Sequence, residues 1–216
     1  MSKFDGFIFD VDGTLTNTNK LIFESFRFVT QKYLGESFSD SEITKLFGPT
    51  EDVILKDFMG ENYASARDDY FKFYSENHNS LALLHNDIAE ILQSIKSSGF
   101  PISIYTGKGR DSAMITLEEF EIKQYFDMIV TGDDIKDHKP SREGIDLFVE
   151  NFELNPDRVL MIGDAIADIK AARNAGVRVA SVLYDCYAKN EVLGMEADYY
   201  LETTGALKDF ILDSLN

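Results

Sequence analysis

The sequence predicts an α/β fold: a doubly wound parallel sheet with an all-helical segment inserted near its start. Three observations carry this. Short apolar runs alternate with stretches of helical periodicity over most of the chain. The runs are apolar almost throughout, as strands are when helices cover both faces of a parallel sheet. One stretch, residues 17–84, breaks the alternation and reads as helix from end to end, with no convincing strand.

The first run is Phe7-Ile8-Phe9-Asp10-Val11. Pro101 to Tyr105, Met128 to Thr131, Val159 to Ile162 and Val177 to Val182 resemble it, and Tyr199-Tyr200-Leu201 adds a sixth. Between them lie apolar stripes at helical spacing. Ile88, Ile91, Leu92 and Ile95 form the first, ending before Gly99. Ala113, Leu117 and Phe120 form the next, then Ile145, Phe148 and Phe152. Ile166, Ile169 and Ala172 follow, with Gly176 as the stop. Ala206, Phe210 and Leu215 mark a last helix after Thr204. Within the inserted stretch, Ile22, Phe26, Val29 and Tyr33 share one helix face, and Tyr63, Ala66, Tyr70 and Phe73 another. Ser39-Asp40-Ser41-Glu42 has the form of a capping box.

Composition limits the functions. The chain of 216 residues is 44% apolar, enough for a sizeable core. It carries 38 acids against 21 bases, a net charge of −17. Nucleic acid and anionic membrane are poor partners for such a surface. No apolar run is long enough to span a bilayer, and no secretory signal is readable in Met1 to Gly6. The expectation is a cytoplasmic protein, monomer or homodimer. The single cysteine, Cys186, excludes an intramolecular disulfide. It lies in Tyr184-Asp185-Cys186-Tyr187, without a nearby histidine, and reads as an ordinary thiol.

Ligands bind open α/β sheets beyond the carboxyl ends of the strands. Asp10, Asp12, Gly13 and Thr14 follow the first strand, and Thr106, Gly107 and Lys108 the second. Lys139-Pro140 comes after the third, and Gly163, Asp164 and Asp168 after the fourth. Carboxylates, a hydroxyl and a lysine gathered on one edge suit phosphoryl transfer. A carboxylate and a phosphate ester repel unless a cation lies between them, and Mg²⁺ with hard oxygen ligands is the natural choice. Asp10 serves as nucleophile and ligand, and Asp164 as a further ligand. Lys139 binds phosphate as a point charge. The Thr106 hydroxyl and the Gly107 N–H donate to the remaining phosphate oxygens. Asp12, two residues beyond Asp10, protonates the leaving oxygen and later takes a proton from water.

Asp10-Val11-Asp12-Gly13-Thr14-Leu15, Thr106-Gly107, Lys139-Pro140 and Gly163 to Asp168 resemble, in order, the four motifs of the haloacid dehalogenase-like (HAD) hydrolases. The resemblance covers nearly the whole chain. It implies a Rossmann-like core, residues 1–16 and 85–216, with an all-α cap domain at 17–84. It also implies an aspartyl-phosphate on Asp10 and Asp12 as acid/base. The implied metal ligands are the Asp10 carboxylate, the Asp12 backbone carbonyl and the Asp164 carboxylate, with Asp168 ligating through water or orienting Lys139. Within the family the chain is similar to the phosphoglycolate phosphatase-like branch, whose substrate-facing cap loop Gly48-Pro49-Thr50-Glu51 resembles. The return to the core, Leu84-His85-Asn86-Asp87, lacks that branch's usual Pro-Gly pair. Dehalogenation is not implied, because the dehalogenating members lack an acid at the position of Asp12.

Each residue also has a plainer reading. Asp164 could cap the helix bearing Ile166, and Asp168 could be a first-turn acid. Lys108, Arg110 and Arg142 lie near the predicted site and read as solvated charges, with substrate contact as the alternative, and His138 reads as a surface loop histidine. His78 and His85 belong to the cap and its hinge. The substrate expected is a small phosphorylated metabolite, phosphoglycolate-like. A β-phosphoglucomutase-like phosphomutase, a pyrophosphatase and a non-enzymatic binding module are the alternatives.

Overall fold

The computed structural model describes residues 2–186 and 188–216. Met1 and Tyr187, which enter the leader and cysteine readings above, lie outside the described residues. The chain opens with β1 (Gly6–Phe9) and a two-residue strand β2 (Thr16–Asn17). Helices α1 (Asn19–Leu34), α2 (Asp40–Thr44), α3 (Glu51–Met59) and α4 (Tyr63–Leu81) follow, and β3 (Leu83–Leu84) returns the chain. Then come α5 (Ile88–Ser97), β4 (Ile102–Tyr105), α6 (Arg110–Glu119) and β5 (Met128–Val130). The remainder is α7 (Glu143–Asn151), β6 (Val159–Gly163), α8 (Ile166–Ala175), β7 (Arg178–Val182), α9 (Lys189–Leu193), β8 (Tyr199–Leu201) and α10 (Thr204–Ser214).

Six strands form one sheet in the order β5-β4-β1-β6-β7-β8, every pair parallel. The α/β expectation holds, strand for strand. Successive side chains alternate faces, and both faces are dry. Phe7, Phe9, Ile102, Ile104, Leu160 and Ile162 pack under α5 and α10. Ile8, Tyr105, Val159, Met161 and Val179 pack under α7 and α8. This two-sided burial is why the strands read as continuous apolar runs. β1 lies between β4 and β6, and the chain visits β4 and β5 before crossing to β6 on the other side. The carboxyl end of β1 therefore sits at the crevice where strand order reverses.

The inserted helices have their own core. Leu21, Phe26, Val29, Ile43, Leu55, Tyr70 and Tyr74 are fully or almost fully buried together. Ser39 and Glu42 make the expected capping box. The expectation of no strand in this stretch is corrected at its edges. Thr16–Asn17 and Leu83–Leu84 pair as an antiparallel ribbon at the root of the insert. Two-residue strands show no period, so the pattern could not reveal them. No helix among the described residues is long and apolar enough to cross a membrane.

Candidate active site

β1 ends one residue before Asp10, whose N–H still donates to Ile162 O at 2.9 Å. The chain then turns: the N–H groups of Thr14, Leu15 and Thr16 all point to Val11 O. This turn brings Asp12 back toward the site instead of leaving it on the opposite face of a strand. Gly13 makes it possible. Its φ is +79°, and a Cβ there would lie 2.5 Å from Asp164 Oδ2.

Carboxylate oxygens of Asp10, Asp164 and Asp168 lie within 4.8 Å of one another. Lys139 Nζ is the cation among them, 3.1 Å from Asp10 Oδ2 and 2.6 Å from Asp168 Oδ1. It also donates to Tyr105 O at 3.1 Å. Asp168 accepts the Ala165 N–H at 3.0 Å. One ammonium cannot neutralise three clustered acids, two of them buried, and the protonation equilibria record this. Burial, against the pull of Lys139 and with help from Asp168 and Asp12, pushes the Asp10 carboxyl up to about 6. Burial, then Asp168 and Asp10, hold Asp164 well above the usual carboxylate range. Lys139 stays above its ordinary value although burial opposes its charge, because Asp10 and Asp168 outweigh that cost. A dense set of hard oxygens short of positive charge fits a divalent cation. The Asp12 carboxylate is not part of this set among the described residues.

Asp12 is held elsewhere. Lys108 Nζ lies 3.1 Å from its Oδ2 and 3.3 Å from its Oδ1, and the Thr18 hydroxyl donates to Oδ1. Lys108 corrects the sequence reading: its side chain is 1% exposed, so it is no solvated charge. Its ammonium lies 5.1 Å from the Tyr74 ring centroid and 3.8 Å from Glu51 Oε1. Both partners come from the inserted helices. The lysine's buried partners lie more than thirty residues away in sequence, so local pattern carried no signal for it. Arg110 and Arg142 do pair at the surface, with Asp134 and Asp146.

Thr106 is buried, and its hydroxyl accepts the Lys108 N–H at 3.3 Å. Thr106 and Gly107 line a cavity of about 390 Å³ between the sheet edge and the insert, together with Asp10, Asp12, Lys139 and Asp164. His138 lines it as well, against the expectation of a surface loop residue. Ala165, not Asp164, is the N-cap of α8, so the capping reading of Asp164 fails and its carboxylate stays with the acid cluster. His78 is buried in α4, and His85 sits beyond β3 with Nε2 3.3 Å from Asp185 Oδ2. The Cys186 thiol donates to Asp164 O, and burial raises its pKa, as for an inert thiol.

A family model of haloacid dehalogenase-like hydrolases matches residues 7–182. The chain belongs to that family. It is a hydrolase of that family. Pyrophosphatase PpaX of Bacillus velezensis is 32% identical over 199 residues, covering 90% of both chains. A predicted phosphoglycolate phosphatase from Haemophilus somnus superposes with a TM-score of 0.84 at 22% identity, over 97% of this chain and 99% of that one. CbbY from Rhodobacter sphaeroides, solved in complex with phosphate, gives 0.78 at 20% identity, over 93% and 94%. At such identities the two structures establish the likeness of the fold.

Proposed function

We propose that this hydrolase is a Mg²⁺-dependent phosphatase for a small organic phosphate monoester, in the size class of phosphoglycolate, acting through an aspartyl-phosphate on Asp10. The carrying observation is the shared placement of Asp10, Asp164, Asp168 and Lys139, with Asp12 two residues beyond the nucleophile. Asp10, Asp164 and the Asp12 backbone carbonyl would hold the metal. Asp168 positions Lys139, to which it is bonded at 2.6 Å. Bound Mg²⁺ would supply the positive charge that lets a carboxylate meet a phosphate dianion.

The residues then divide the work. Asp10, aimed into the cavity from the end of β1, attacks phosphorus, and the P–O bond to the leaving alcohol breaks. Lys139, with the Thr106 hydroxyl and the Gly107 N–H, binds the transferring phosphoryl oxygens. Asp12 gives its proton to the leaving oxygen, then takes one from the water that hydrolyses the aspartyl-phosphate. Lys108 and Thr18 orient Asp12. Residues 17–84 act as a cap over the core at residues 1–16 and 85–216, hinged at the ribbon of β2 and β3, and exclude water when closed.

The test is phosphate release from a panel of phosphomonoesters with Mg²⁺, with Asp10→Asn as control. No release from any ester by the folded wild-type protein overturns the proposal. The likeness to pyrophosphatase PpaX favours a second reading, pyrophosphate, and the same assay compares the two.

A further inference from the structure

Lys108 is held from three sides, and two of the three belong to the insert. Asp12, from the core, lies 3.1 Å from its Nζ. Glu51 of α3 approaches to 3.8 Å, and the Tyr74 ring of α4 has its centroid 5.1 Å away. The lysine side chain is 1% exposed and that of Glu51 8%. An ammonium taken out of water needs a counter-charge. Glu51 supplies one by itself, so Lys108 keeps a partner whatever the state of Asp12.

Glu51 is itself fixed. Its Oε2 accepts the Gly109 N–H at 2.8 Å, and its Oε1 accepts the Ser112 hydroxyl at 2.6 Å. Both donors belong to the core: Gly109 immediately precedes α6 and Ser112 lies in its first turn. The seat exists because Gly109 has no side chain, since a Cβ there would meet Glu51 Oε2 at 2.6 Å. A carboxylate that accepts two such bonds has little freedom to move, and it fixes the ammonium beside it. That ammonium in turn reaches both carboxylate oxygens of Asp12, at 3.1 Å and 3.3 Å, so a displaced Lys108 would displace the acid.

We infer that Glu51 is a positioning residue for the leaving-group step: it holds Lys108 against Asp12 from the insert and so keeps the acid aimed at the leaving oxygen. The inference rests on the phosphatase reading, in which Asp12 is that acid. Glu51 touches no reacting atom. It acts through Lys108, and only with residue 51 seated at Gly109 is the acid in place. The insert thus serves the chemistry directly, besides covering the cavity.

The experiment compares 4-nitrobenzyl phosphate with 4-nitrophenyl phosphate, assayed by phosphate release with Mg²⁺ at pH 7.5. The two esters carry the same charge and differ by one methylene. The benzylic oxygen needs a proton to leave, whereas the nitrophenolate leaves without one. kcat/KM reports the step that expels them. Glu51→Gln keeps the shape and can still accept a hydrogen bond from Gly109 or Ser112, but it takes the second counter-charge from Lys108. It should lower kcat/KM for the benzyl ester by about tenfold or more, and for the nitrophenyl ester by no more than about threefold. Gly109→Ala, which fills the seat from the core side, should act in the same way and add little to Glu51→Gln. A purely structural Glu51 would lower both esters by one factor. Equal loss on the two esters, or no loss on either, overturns the inference and leaves the phosphatase reading standing. Losses that multiply in the double variant also overturn it, because two changes at one seat cannot act twice. Should Glu51→Gln fail to fold, Gly109→Ala alone decides between the same outcomes. No phosphate from either ester with the wild-type protein fells the phosphatase reading and this inference together.

Discussion

Lys108 Nζ lies 3.1 Å from Asp12 Oδ2, with the lysine side chain 1% exposed, so the acid that would serve the leaving group is held by a buried ammonium. Aspartates near a metal need a fixed direction to shuttle protons, and this contact supplies it. It also ties the inserted helices to the chemistry, because the same ammonium reaches Glu51 and Tyr74.

Lys108→Met tests that tie. The substitution keeps much of the hydrocarbon volume and leaves two acids without their shared cation. Stability should fall by about 3 kcal/mol, read by urea denaturation at pH 7.5. Turnover should fall by at least about 10²-fold, as for loss of a placed general acid. A variant with unchanged kcat would remove Lys108 from the catalytic arrangement.

Asp10→Asn separates chemistry from stability. Turnover should drop by about 10³-fold or more, since an amide is a poor nucleophile. Stability should move the other way. The folded Asp10 carboxyl titrates near 6, above its unfolded value of about 3.9. Between those values the folded protein holds more protons than the unfolded one, so the Asp10 contribution falls as pH rises through this window. Above pH 6 its cost is constant, and below about pH 4 it vanishes. Metal-free Asp10→Asn should therefore melt higher than metal-free wild type at pH 7, with the difference shrinking toward pH 4. Equal melting curves at pH 7 would contradict the strained carboxylate.

Metal removal gives a complementary readout. Chelation should abolish phosphate release, and added Mg²⁺ should restore it and raise the melting temperature at pH 7.5. The thermal gain should be smaller at pH 5, where Asp10 and Asp164, both shifted upward, are more protonated and must lose those protons to bind. Asp164→Asn should weaken the Mg²⁺ response by about tenfold or more in apparent affinity. A thermal response to Mg²⁺ identical in wild type and Asp164→Asn would place the ion elsewhere.

Gly13→Ala probes the turn. The added Cβ would lie 2.5 Å from Asp164 Oδ2 at a residue with φ of +79°. We expect a loss of about 1 kcal/mol or more from the backbone alone, together with a weaker Mg²⁺ response as Asp164 is displaced. Isothermal titration and thermal melts would read the two effects separately.

The sequence alone determined the alternation of strand and helix, the position of the insert, and the carboxylates and Lys139 at the strand ends. Each of these is a local consequence: burial on both faces makes a strand apolar throughout, and a strand end is where a chain can present a polar side chain to a crevice. The tertiary structure decided what depends on distant partners. It buried Lys108 between Asp12 and Glu51, paired Thr16–Asn17 with Leu83–Leu84, and turned His138 to the cavity. A charge reads as solvated until folding shows which opposite charge, far along the chain, has taken it out of water.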